Sequence, residues 1–138
     1  LLKQTIHFLP LKDIKKLLLL CINSLNSGGR IAIFTLATFK NEIPTFVKMK
    51  KKLNKSLKRD QKILRFINSL YPGGLSKIFS FKVKISRQKY VEMIENRYIS
   101  TLLNLSNAEI LKGISEINRN YRKRLNFKDK LICLLLKK

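Results

Sequence analysis

The sequence predicts an α/β fold: a helix, a buried strand, a basic helix, then an antiparallel strand pair with a helical insertion. Three observations carry this. From Leu11 to Leu25 the apolar residues Leu11, Ile14, Leu18, Cys21 and Leu25 recur at steps of three and four, the period of one helix face. Ile31–Leu36 is uniformly apolar and rich in branched residues, as a strand covered on both faces is. "SKIFSFKVKIS" alternates, with Phe79, Phe81, Val83 and Ile85 on one side and Ser80, Lys82 and Lys84 on the other, the pattern of a half-exposed strand.

The first helix begins behind Pro10, which suits a first helical turn, and stops at Asn26-Ser27-Gly28, where Gly or Asn closes the last turn in the left-handed conformation. Gly28 and Gly29 therefore read as structural turn residues before the strand Ile31–Leu36. Parallel strands are joined by crossovers in which a strand precedes the helix. Here the helix starts within about ten residues of Leu1, and the expected preceding strand has no sequence to occupy. Asn41 to Pro44 break the pattern. Phe46, Met49, Leu53, Leu57, Leu64 and Ile67 then form the stripe of a second helix, interleaved with "KMKKKLNKSLKRDQK", and "YPGG" ends it as a turn. After the alternating strand, Ser86 caps a helix carrying Tyr90, Val91 and Ile94. Ser106 and Glu109 have the spacing of a capping box before Ile110, Ile114, Ile117 and Tyr121. "LNFKD" is expected to turn into a buried last strand, "LICLLL". No repeat, linker or second domain interrupts residues 1–138.

The chain has 138 residues and is 45% hydrophobic, enough for a packed core and against disorder. Its 30 Lys+Arg against 8 Asp+Glu give a formal charge of +22, a field that favours polyanions. Lys well outnumbers Arg, and the abundance of Asn and Ile without Trp is also what AT-rich coding alone produces. Cys21 and Cys133 lie in separate apolar runs without a second thiol at ligand spacing, and read as reduced core residues of a cytoplasmic protein. There is no signal-peptide pattern and no apolar run of membrane-spanning length. With one His and scattered acids, neither a Ser-His-Asp triad nor a two-carboxylate site can be assembled. Metal ligation is not expected either.

"KQTIHFLPLKDIKKLLLLCINSLNSGGRIAIFTL" resembles the segment after the fourth strand of class I S-adenosylmethionine-dependent methyltransferases, where a Gln/His-containing entry leads into a helix, a Gly-Gly turn and the fifth strand. "KVKISRQKYVEMIENRYISTLLNLSNAEILKGISEI" resembles the region after the sixth strand in small-molecule-type members, with helices before an apolar seventh strand such as "LICLLLKK". The resemblance implies the C-terminal half of a Rossmann-like sheet, with S-adenosylmethionine as cofactor in the intact protein and a small-molecule methyl acceptor. The family's Gly-rich cofactor loop and its ribose-binding acid have no counterpart here; no GxGxG occurs. The chain opens on Leu1, and its methionines are Met49 and Met93. A missing N-terminal half or a partner chain is therefore expected, and the isolated chain is expected to be inactive. Methyl transfer itself requires no acid/base device, because positioning an acceptor against an activated donor supplies much of the acceleration.

The resemblance points to Gln4 and His7 as cofactor contacts at the ligand-binding edge, emerging just after a missing fourth strand; the plain reading of His7 is a helix-boundary residue. In open α/β sheets ligands bind beyond the carboxyl ends of strands. Thr35 to Thr38 lie at that end of their strand, which makes Thr35 and Thr38 substrate candidates. Arg97, Tyr98 and Ser100 match a region that lines the substrate side in relatives; alternatively Arg97 is a cation at a helix terminus. Two rivals stand beside the enzyme reading. One is a non-enzymatic RNA or polyanion binder acting through Lys48, Lys50, Lys51, Lys52, Lys55, Lys58 and Arg59. The other is a degenerate methyltransferase half serving as a partner subunit.

Overall fold

In the computed structural model, which describes residues 1–138, the elements are β1 (Leu2–Lys3), α1 (Leu11–Asn23), β2 (Arg30–Leu36), α2 (Val47–Leu70), β3 (Leu75–Ser86), α3 (Arg87–Glu95), α4 (Asn107–Asn120) and β4 (Arg124–Lys137), with 3₁₀ turns at Ile6–Phe8 and Ser100–Leu102. The fold is α/β with a mixed four-stranded sheet in the order β1-β2-β4-β3. β1 runs parallel to β2, with Leu2 opposite Ile33 and Lys3 opposite Phe34. β4 runs antiparallel to β2, from Arg30 opposite Lys137 to Leu36 opposite Leu131. Gly74, just ahead of β3, lies beside Leu134 and Leu136, while the Arg87 N–H just after β3 donates to the Lys123 carbonyl. β3 and β4 are therefore antiparallel, and α3 and α4 are inserted between them. No helix is long and apolar enough to cross a membrane.

The chain forms two compact units. Residues 1–40, 57–80 and 130–138 make the first, and residues 41–56 and 81–129 the second. The first has its core in Ile6, Ile14, Leu18, Ile31, Ile33, Ile63, Ile67, Leu134 and Leu136. Ile14 and Leu18 come from the α1 stripe, so the predicted amphipathic period is the one that packs. α1 ends earlier than expected, at Asn23, with Ser24 as its C-cap in the right-handed conformation. Gly28, with φ +75°, belongs instead to the following turn, in which the Gly29 N–H donates to the Asn26 carbonyl at 2.9 Å, and a Cβ on Gly29 would lie 2.8 Å from the Leu25 Cβ.

The preceding strand, for which no residues were expected to remain, is present as β1. Two residues suffice, because Gln4 takes a left-handed φ of 56°, turning the chain out of β1 at once and into the 3₁₀ turn. The Gln4 N–H still reaches the Phe34 carbonyl at 2.9 Å, one step beyond the β1 ladder. β2 is thus flanked on both sides by strands of this chain. Its two faces are not equally covered: Ile31, Ile33 and Thr35 are buried, whereas Ala32 and Phe34 are half-buried. The Phe34 ring meets that of Phe79 at a centroid distance of 5.9 Å.

The second unit packs Phe46 and Met49 against Tyr90, Ile94, Leu102, Leu105, Ile110, Ile114, Ile117 and Leu125. Both expected caps are present. The Ser86 side chain accepts from the Lys89 N–H, and Ser106 with Glu109 forms a complete capping box. The segment expected to turn, Leu125 to Asp129, is strand instead. The chain reverses earlier, between α4 and Arg124, and Leu125 is buried while its sequence neighbours Arg124 and Asn126 are exposed. This alternation of single residues hid the strand behind charges. In β3, Phe79, Val83 and Ile85 are half-buried, but Phe81 remains 53% exposed. The strand lies at the sheet edge, with only one neighbour to cover it.

Candidate functional site

The carboxyl ends of β1 and β2 point the same way because the strands are parallel, and this is the edge at which open α/β sheets bind ligands. It belongs to the first unit. Leaving β1, the chain places Gln4 beside Phe34 and then folds the Ile6–Phe8 turn, which buries His7 to 9% exposure. Leaving β2, it places Thr35, 1% exposed, and then the half-buried Thr38. Gln4, His7, Thr35 and Thr38 are therefore collected at one edge.

The chemistry there is unusual for a core. Neither ring nitrogen of His7 has a hydrogen-bond partner, and neither does the Thr35 hydroxyl. Buried polar atoms are normally paired, so each such atom calls for an explanation. Burial pushes the His7 imidazole below its ordinary range, an effect that the Asp60 carboxylate opposes and the Arg59 guanidinium reinforces. A neutral imidazole offers one donor and one acceptor, and here both are uncommitted. The His7 ring lies at a tilt to that of Phe8, with centroids 4.3 Å apart.

Asp60 is the residue that sequence reasoning missed. It is 6% exposed and accepts from Arg59 Nε at 2.9 Å and Nη2 at 2.8 Å through one oxygen. The expected stripe of α2 ran through Leu64, whereas the buried positions are Asp60 and Ile63, with Leu64 only half-buried. A signal was available: Asp60 is the one acid in an otherwise basic helix, at a three-residue step from both Leu57 and Ile63. Ile63 and Ile67 of α2 share a core with Ile31 and Ile33 of β2, and Asp60 and Thr35 are the next inward positions along these two elements.

The remaining candidates lie in the second unit. Arg97 has a left-handed φ of 51°, and its guanidinium donates to the Leu102 carbonyl at 2.5 Å, the Leu105 carbonyl at 2.6 Å and Asn107 Oδ1 at 2.9 Å. Three of its five donors are thus spent on binding a loop to the start of α4. The Tyr90 hydroxyl donates to the Pro44 carbonyl at 2.5 Å, so across the 2.9 Å contact between the two tyrosines Tyr98 is the donor. Burial, with a contribution from Asp129, pushes the Tyr98 phenol up to about 12. Ser100 opens the second 3₁₀ turn and is half-buried. A cavity of about 370 Å³ in this unit is lined by Lys84, Ile85, Ser86, Arg124, Leu125 and Asn126, none of them a predicted site residue. No group of His, Cys, Asp and Glu is arranged to hold a metal ion. Cys21 and Cys133 are free thiols.

No family model matches the chain, and no curated protein does.

Proposed function

We propose that this chain is the C-terminal part of a class I S-adenosylmethionine-dependent methyltransferase sheet, acting on a small-molecule acceptor once the sheet is completed across β1. The observation that carries the reading is the parallel β1-α1-β2 unit, with Gln4 and His7 leaving β1 at the same edge as Thr35. That is where the resemblance places the cofactor. The far side of β1 has no strand neighbour, consistent with continuation of the sheet there. The antiparallel β3-β4 pair with its helical insertion agrees with the sixth and seventh strands of the resemblance.

The residues present fit one flank of the cofactor. His7 brings two uncommitted ring nitrogens and Thr35 an uncommitted hydroxyl, in a setting dry enough for each hydrogen bond to count. The Gly-rich loop and the ribose-binding acid are not among these residues and belong to the completing half. S-adenosylmethionine, when bound, supplies an activated methyl donor on sulfur. The chain's own contribution is to orient and to exclude water: His7 and Gln4 hold the ligand from the β1 side, and Thr35 and Thr38 border the acceptor.

The test uses the protein translated together with its upstream coding sequence. Calorimetry with S-adenosylhomocysteine is expected to show binding, weakened about tenfold by His7→Ala, the equivalent of one hydrogen bond of about 1.4 kcal/mol. Absence of binding, or an upstream sequence without a strand and Gly-rich turn, overturns the reading.

A further inference from the structure

The α2 helix carries Lys51, Lys55, Lys58, Lys62 and Arg65, at steps of four, three, four and three. At 100° per residue these side chains fall on one face. That face is opposite Met49, Leu53, Leu57, Asp60, Ile63 and Ile67, all of them buried. The row stands on one uninterrupted helix, so its spacing is set by helix geometry alone, and it extends for about 21 Å. All five residues are exposed. None makes an ion pair or a hydrogen bond, in contrast to Lys48, paired with Glu109, Lys52, bonded to the Asn104 carbonyl, and Arg59, paired with Asp60. The one acid of α2, Asp60, is buried and offers this face no neutralising charge.

We infer that this row is a docking surface for the phosphodiester backbone of a nucleic acid strand. Phosphates of one strand advance about 3.4 Å each along a duplex axis, so a row of this length meets about six. A membrane surface fits worse. Helices that lie in a bilayer interface insert an apolar face next to their cations, and the apolar face of α2 is already committed to the protein's cores, with Met49 and Ile67 both 0% exposed. The row presents no aromatic side chain on which a base could stack, since Phe66, the aromatic residue of α2, packs against a core. Recognition is therefore through charge and not base sequence. The inference is independent of methyl transfer, because none of these residues belongs to the β1-β2 edge.

Fluorescence anisotropy with a labelled 20-nucleotide single strand and the corresponding duplex, as RNA and as DNA, tests it. With the row neutralising about five phosphates, the logarithm of affinity should fall against the logarithm of salt with a slope of about −3.5 for single strands and about −4.5 for duplex. Replacing Lys51, Lys55, Lys58, Lys62 and Arg65 by Gln should flatten that slope and lower affinity at least tenfold at 100 mM salt. A control variant with Lys12, Lys15, Lys16, Lys82 and Lys84 replaced by Gln has the same net charge and should keep most of the affinity. Equal losses in the two variants would mean diffuse attraction by net charge and would overturn the proposal. So would row-dependent binding to anionic phosphatidylserine vesicles without binding to either nucleic acid.

Discussion

Replacing Gly113 by alanine tests how tightly the second unit is packed. Gly113 lies within α4, where alanine is ordinarily the better residue by about 1 kcal/mol. Here a Cβ would stand 2.6 Å from Phe46 Cε2 and Cζ and 2.7 Å from Cδ1, far inside van der Waals contact. The Phe46 ring is 2% exposed and wedged among Met49, Ile110 and Ile114, so it cannot swing aside into solvent. Overpacking of this kind costs about 1–3 kcal/mol, which outweighs the helix gain at all but the low end. Gly113→Ala is therefore expected to destabilise by about 1 kcal/mol, and by no more than about 2 kcal/mol, read as a lower urea midpoint at unchanged slope. The cause is checked by repeating the substitution in a Phe46→Leu background, where the ring is gone and the cost should vanish or change sign. A midpoint that rises in Gly113→Ala alone, or a cost that Phe46→Leu leaves untouched, would refute the packing argument.

Arg97→Ala should cost about 2 kcal/mol of stability in chemical denaturation, since three donors hold the loop to α4. Its effect on ligand affinity should be small; a large loss of affinity with stability intact would return Arg97 to the substrate side. Tyr121→Phe should cost about 1 kcal/mol because the hydroxyl accepts from the Thr45 N–H at 2.9 Å and donates to the Thr45 carbonyl at 3.1 Å; an unchanged urea midpoint would show this pair to be idle. Burial holds the His7 pKa in the folded chain below its ordinary value, so on acidification the unfolded chain binds the proton more readily and folding loses stability. The urea midpoint should drop between pH 7 and pH 5, and drop less in His7→Gln. Parallel curves for the two proteins would show that His7 does not carry the dependence.

Much of the fold could be read from periodicity and caps. Ile14 and Leu18, the Gly28-Gly29 turn and the Ser106–Glu109 box each have a local cause, and each is found where that cause places it. The misreadings share a different origin. β1 is held by two ladder positions and a left-handed Gln4, and neither leaves a periodic trace. The first half of β4 alternates its buried Leu125 with exposed Arg124 and Asn126, and so resembles a polar turn. Asp60 escapes a stripe drawn from apolar residues alone, because only its phase in the helix, and not its side chain, marks it as buried. At the candidate site, Gln4 and His7 entered through the family resemblance and Thr35 through the rule for strand ends. What no sequence pattern discloses is that the His7 and Thr35 polar atoms are left without partners, because pairing is decided by tertiary packing.

His7 is the single histidine of residues 1–138, and its ring-nitrogen NMR signals, assigned by their loss in His7→Gln, report most directly on a ligand edge at the ends of β1 and β2. In the protein made with its upstream coding sequence, titration with S-adenosylhomocysteine should shift both ring-nitrogen resonances and hold the imidazole neutral to lower pH. Ring signals that stay fixed while the ligand saturates the protein would contradict the account.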